Sequence, residues 1–125
     1  MNINKVYSVY YSATGTTQKI ASFLGETIAK KLNIPFEKYN YSLPKRREKI
    51  LEFKENELII CASPTYAGRV PNVMLPFLKN NIKGNGALAV PVVLFGNRNF
   101  DDSLIELRNI LEDNGFRTIA GGGFI

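Results

Sequence analysis

Two rhythms of apolar and polar positions alternate along the chain. Residues 5–11 (KVYSVYY) combine β-branched and aromatic side chains and predict a strand that stops at the small polar cluster 12–17. From there Thr17, Ile20, Ala21, Leu24, Ile28 and Leu32 recur at steps of three and four, the spacing of one buried helical face, so a helix is expected to about Lys31. A short strand follows over 34–39. Segment 45–55 is basic, and Ile50, Leu51 and Phe53 predict a helix with an apolar side toward a core. The continuous apolar run 57–62 (ELIICA) suits an interior parallel strand. Pro71 and Asn72 open a third helix through Val73, Met74, Phe77 and Leu78, with Pro76 shortening or kinking its start. A fourth strand is placed at 91–95, beginning at Pro91 because a proline inside a central strand removes a ladder donor. Ser103 and Glu106 have capping-box spacing, and Leu104, Leu107, Ile110 and Leu111 face inward until Asn114 and Gly115 stop that helix. A last strand starts at 118–120.

This alternation predicts an α/β fold: a five-stranded parallel sheet with helices on both faces. The 125 residues make one domain, 1–125, with no repeat and no linker. Ligands of such sheets sit beyond the carboxyl ends of the strands where strand order reverses, so loops 12–17, 63–69 and 96–102 are expected to converge.

Composition narrows the chemistry. Apolar residues make up 45% and charged residues 22%, as in folded globular domains. No apolar run approaches the roughly 18 residues of a membrane span, and the first residues lack the layout of a signal peptide, so a cytoplasmic protein is expected. The chain has one cysteine and no histidine, which removes internal disulfides, the common zinc and haem ligands, and the Ser-His-Asp and Cys-His mechanisms. No metal site is expected. Small tyrosine phosphatases share the parallel sheet and an anion loop, but they need a cysteine five residues before an arginine. Cys61 stands eight before Arg69, and it reads as a small apolar filler at the end of a buried strand.

Charge is unevenly placed. Lys30, Lys31, Lys38, Lys45, Arg46, Arg47, Lys49 and Lys54 against Glu37, Glu48 and Glu52 give 8 − 3 = +5, the net charge of the whole chain. Tyr39, Tyr41 and Phe53 lie among them, as a nucleic-acid surface requires. Charge runs are more often a solvated face, however, so nucleic acid is not the expected partner. A docking surface for an acidic partner is the third reading.

Ser12, Thr14, Gly15, Thr16 and Thr17 stand where a helix begins, so amide donors and the helix dipole make an anion site there. The loop has no basic side chain and lacks the G-x-x-x-x-G-K-[ST] spacing, which fits a terminal monophosphate better than a triphosphate.

Ser12-x-Thr14-Gly15-x-Thr17 after a first strand resembles the phosphate loop of flavodoxins, Ser63-Pro64-Thr65-Tyr66-Ala67-Gly68-Arg69 resembles their second flavin loop, and Gly96-Asn97-Arg98-Asn99-Phe100-Asp101 resembles the third. The resemblance spans nearly the whole chain. It implies a flavodoxin-like three-layer sandwich with strand order 2-1-3-4-5 and bound FMN at the switch point. Ser12, Thr14, Gly15, Thr16 and Thr17 would take the phosphate. Tyr66 and Phe100 would flank the isoalloxazine ring, the backbone of Ala67 and Gly68 would face its N5 edge, and Asn97 with the following amides would meet the pyrimidine edge. The implied function is electron transfer between redox partners, such as a ferredoxin domain or another iron–sulfur protein. The third loop also resembles the flavodoxin-like domain that precedes a two-cluster ferredoxin segment in some anaerobic proteins. Two alternatives stay open: a flavodoxin-like activator of ribonucleotide reductase, which shares a Gly-Asn-Arg-Asn-aromatic stretch, and an FMN-dependent NAD(P)H oxidoreductase, which would need a substrate pocket over the ring.

Two departures from flavodoxins matter. The chain is basic, with Arg69 and Arg98 in the flavin loops; a guanidinium near the flavin N1 and O2 edge would stabilise the reduced anion and raise the potential. The sequence ends at Gly121-Gly122-Gly123-Phe124-Ile125 without the last helix of the fold, so apolar surface beneath strands three to five is expected to be covered by a second copy or another chain, or left open because the chain is a piece of a longer one.

Overall fold

Small residues bring the first helix close to the sheet. The computed structural model describes residues 2–11, 15–66, 69–94 and 101–124. Helix α1 (Thr16–Leu32) buries Thr17, Ala21, Gly25 and Ala29, each four residues after the last. Ile20, Leu24 and Ile28 flank that stripe and are only partly covered, and Leu32 is exposed. Thr17 and Ala21 of the expected stripe are therefore buried, and its larger residues are displaced to one side. A β-carbon on Gly25 would collide with the Phe36 ring and the Ser8 hydroxyl, and that hydroxyl donates to the Ala21 carbonyl at 2.6 Å. Bulk is excluded at the line of closest approach. Asn33, in the left-handed region at φ 56°, ends the helix.

Strands β1 (Lys5–Tyr10) and β2 (Phe36–Asn40) precede a one-turn helix α2 (Pro44–Arg47) and a two-residue strand β3 (Leu51–Glu52). The helix expected over 45–55 is thus reduced to its first turn. Leu51 and Glu52 pair in parallel with β5 (Ile82–Lys83), and Phe53 turns into the core beside Tyr7 and Phe116, leaving Ile50 exposed. Long-range pairing here overrides helical spacing.

β4 (Glu57–Pro64) is buried along nearly its whole length, as its apolar run predicts. A 3₁₀ turn, Asn72–Met74, leads into α3 (Leu75–Asn80), with Pro76 in the first helical turn, where it needs no donor. β6 (Leu88–Leu94), α4 (Asp101–Asp113), β7 (Arg117–Thr118) and β8 (Gly122–Phe124) complete the order.

Every pairing in the main sheet is parallel, in the order β2-β1-β4-β6-β7, with β8 continuing the β7 edge of β6. α1 covers one face with Tyr10, Ile60, Ala62, Val92 and Leu94. The other face carries the larger core: Val9, Ile59, Cys61, Ala89 and Val93 beneath Met74, Phe77, Leu107 and Leu111 of the α3 and α4 layer. This is the three-layer sandwich expected, with a small second sheet added. No helix follows β8 among the described residues, and on the α1 face Leu88 and Val90 are half-buried and Ile119 is exposed.

Pro91 is central in β6 rather than at its start. Arg117 and Ile119 donate to the Ala87 and Ala89 carbonyls, so alternate residues of β6, Pro91 included, turn their backbone polar groups toward the edge strand and not toward β4. Opposite Pro91 the edge strand breaks. From Thr118 to Gly122 is four steps, whereas their partners Ala89 to Val92 span three, so one extra residue bulges where the proline offers no N–H. The last strand predicted at 118–120 is accordingly split into β7 and β8.

Candidate functional site

The chain leaves β1 for β2 on one side and β4 for β6 on the other, so a crevice opens where the carboxyl ends of β1 and β4 diverge. α1 begins at this end. Its N-cap, Gly15, has φ 91°, supplies no side-chain cap, and has open space within 4 Å of where a β-carbon would be. No acidic side chain stands in the first turn to repel an anion. Thr16 is exposed toward solvent, whereas Thr17 is buried in the helix–sheet interface. Ser12 and Thr14, the other residues expected to take a phosphate, lie outside the described residues.

The second wall comes from the end of β4. Ser63 is buried, and its hydroxyl donates to the Pro64 carbonyl at 2.9 Å. Thr65 donates its N–H to the Leu94 carbonyl at 2.7 Å, and its hydroxyl meets the Ser103 hydroxyl at 2.9 Å. Tyr66 and Arg69 exchange backbone hydrogen bonds of 2.9 and 3.0 Å, closing the neck of the turn. Tyr66 itself is 48% exposed at this loop tip. Burial pushes its phenol up, and the neighbouring Tyr11 hydroxyl adds to the shift. Tyr11 in turn lies 6.3 Å from the Tyr41 ring, which stacks on Phe77 at 4.6 Å. Tyr11 thus links Tyr66 to an aromatic series that runs into the core. Ala67, Gly68, Gly96, Asn97, Arg98 and Phe100 lie outside the described residues, and Asp101 is placed as the first residue of α4.

The connections among these parts were not legible as such. Ser103 and Glu106 lie within α4 and not at its cap. Ser103 is buried against Thr65, and Glu106 receives the Arg69 guanidinium at 2.7 and 3.1 Å and the Val70 N–H at 2.9 Å. The capping-box reading is corrected: both side chains tie the second loop to the helix that follows the third. Arg69 is therefore engaged by a carboxylate. Partial burial would raise the Glu106 carboxyl, but the Arg69 bond, the Val70 N–H and the charges of Arg69 and Lys79 outweigh it and hold that carboxyl below its usual value. No pattern in the sequence could pair positions 37 apart.

Cys61 is fully buried, and burial alone pushes its thiol up to about 12, which keeps it protonated and inert. No group of histidine, cysteine or carboxylate residues among the described residues is arranged to hold a metal ion, and no described helix is long and apolar enough to cross a membrane.

The fold and the crevice define a protein of flavodoxin-like architecture. Solved structures with this fold include a Streptococcus pneumoniae flavodoxin (TM-score 0.70, 16% identity, covering 97% of this chain and 83% of that one) and an archaeal flavodoxin (TM-score 0.68, 18% identity, 95% and 82%). A Fusobacterium nucleatum flavodoxin mutant bound to flavin mononucleotide matches with a TM-score of 0.65 at 23% identity, over 94% of this chain and 69% of that one. No family model matches the sequence, and no curated protein does either. At these identities the likeness establishes the fold.

Proposed function

We propose that the chain is a flavodoxin-like FMN-binding electron-transfer protein. The observation that carries this reading is the pairing, across one switch-point crevice, of a left-handed Gly15 opening α1 with an exposed Tyr66 at the tip of the neighbouring loop. One wall offers amide donors and a dipole to a phosphate. The other offers an aromatic face to a flat ring. The flavin-bound Fusobacterium flavodoxin lends support through its shared fold.

When bound, FMN supplies the one- and two-electron chemistry. The chain's part is to bind and orient it. The α1 amides and the exposed Thr16 hydroxyl would hold the phosphate, with Ser12 and Thr14 assigned to it by resemblance. Tyr66, beside the Tyr11 hydroxyl, would offer its ring to the flavin, and the Thr65–Ser103 and Arg69–Glu106 bonds keep that loop in place.

Titration with FMN, riboflavin and FAD tests the reading. FMN is expected to bind tighter than riboflavin by about tenfold or more, since each charge-assisted hydrogen bond to the phosphate contributes on the order of 1.5–3 kcal/mol. Thr14→Val and Gly15→Val are expected to weaken FMN and leave riboflavin unchanged. Equal affinity for FMN and riboflavin would remove the phosphate loop, and steady turnover of NADH or NADPH with a quinone would replace the carrier with an oxidoreductase.

A further inference from the structure

A cationic, partly apolar platform starts at the same end of the sheet as the crevice and runs back along the connection from β2 to β4. β2 ends at Asn40, and only three residues separate it from α2, so this turn lies beside the carboxyl ends of the strands. Along the chain, Lys45, Arg46 and Lys49 are exposed between two outward apolar side chains, Leu43 at 63% and Ile50 at 54%. Arg46 lies over the ring of Tyr39, the next-to-last residue of β2, at 5.4 Å, which sets that cation beside the carboxyl end of β2.

The platform is rigid for so short a helix. Arg47 donates to the Tyr41 and Ser42 carbonyls at 3.0 and 2.8 Å, Asn81 donates to the Arg47 carbonyl at 2.8 Å, and the Tyr39 hydroxyl donates to the Arg46 carbonyl at 2.6 Å. The ion pairs among the described residues, Lys5–Glu37, Arg69–Glu106 and Arg108–Glu112, all lie elsewhere. Exposed Glu48 is the one carboxylate between Leu43 and Ile50, so the platform keeps a net positive charge.

We infer that this platform, Leu43 and Ile50 with Lys45, Arg46 and Lys49 between them in the chain, docks an acidic electron-transfer protein. This rests on the electron-transfer reading above and adds to it where the partner binds and what charge it carries. Apolar side chains set among charged ones suit a transient protein interface, and charge complementarity steers such encounters. A nucleic acid would need open aromatic faces for base stacking. Tyr41 and Phe53 are instead buried in the core, and Tyr39 carries Arg46 and Lys49 over its ring at 5.4 and 5.9 Å.

The test uses the full chain, loaded with FMN and flavin-free, and a small, strongly acidic two-cluster ferredoxin as probe. Binding is measured by calorimetry, and passage of one electron from a reduced cluster to the oxidised flavin by stopped-flow absorbance. Lys45→Glu/Arg46→Glu/Lys49→Glu is expected to lower both affinity and rate by about tenfold or more at low salt and to flatten their fall with ionic strength. Lys30→Glu/Lys31→Glu/Lys54→Glu, the same change in charge at the opposite end of the sheet, is expected to change both far less. Equal effects of the two reversals, no effect of the first, or tighter binding of a thymidine 20-mer than of the ferredoxin at matched salt would overturn the inference. If FMN does not bind but the flavin-free chain still binds the ferredoxin through the platform, the electron-transfer reading falls and the surface stands. If FMN binds and the platform reversal changes nothing, only the surface falls.

Discussion

Arg69 closes a two-point bridge on Glu106, Nε to Oε1 at 3.1 Å and Nη2 to Oε2 at 2.7 Å, and the same carboxylate accepts the Val70 N–H at 2.9 Å. One side chain of α4 thereby anchors the far leg of the loop that presents Tyr66. The guanidinium stands 63% exposed over a carboxylate only 14% exposed, so the bond matters more for positioning than for global stability.

Glu106→Gln and Arg69→Gln are each expected to weaken FMN by about two- to fivefold, the scale of an exposed but bidentate pair, and the double variant is expected to be no weaker than the worse single. Fluorescence titration of the four proteins reads this coupling. Additive losses would show that the two side chains act separately.

The same carboxylate predicts a pH dependence. Its value is depressed in the folded chain, so its contribution to stability is present above its unfolded value and is lost as pH falls through the lower folded one. Urea midpoints measured from about pH 6 down to about pH 3 should fall less steeply in Arg69→Gln than in the parent. Parallel curves would separate the Arg69 contact from acid sensitivity.

Gly25→Ala should destabilise, against the usual helical preference for alanine, because the added methyl would collide with the Phe36 ring and the Ser8 hydroxyl. Overpacking of this kind costs about 1–3 kcal/mol, which is several degrees of melting temperature in a domain of this size. A raised melting temperature would mean that α1 can lift off the sheet.

Tyr66→Ala is expected to weaken FMN by about tenfold, the scale of one lost aromatic stack, while Tyr66→Phe retains most of the affinity. A larger loss in the phenylalanine variant would assign the role to the hydroxyl beside Tyr11 instead of the ring.

Cys61 should resist thiol reagents in the native protein at pH 8 and react fully in urea. Its folded value is raised to about 12, so only the unfolded chain gains from ionisation, and stability should decline as pH rises past the ordinary thiol range. Rapid native labelling would place the thiol at the surface.

The sequence by itself determined the alternation of strands and helices, the burial of residues 57–62 and the run of polar residues where α1 opens, since each is a local pattern of period or propensity. Tertiary structure decided the rest. Leu51 and Glu52 became strand because β5 offered a partner, which no window of neighbouring residues contains. Gly25 and Ala29 join the expected Thr17 and Ala21 on the buried line of α1, and Leu24 and Ile28 stand at its flank, because distance to the sheet, not hydrophobicity, selects residues there. Pro91 fits inside β6 because its missing donor faces a bulge 30 residues away, at Gly121, where even a β-carbon would press on the proline ring at 3.3 Å. Glu106 met Arg69 only once α4 had folded against the loop after β4. Such pairings join residues distant in the chain, and they exist only when packing has brought both partners to one place.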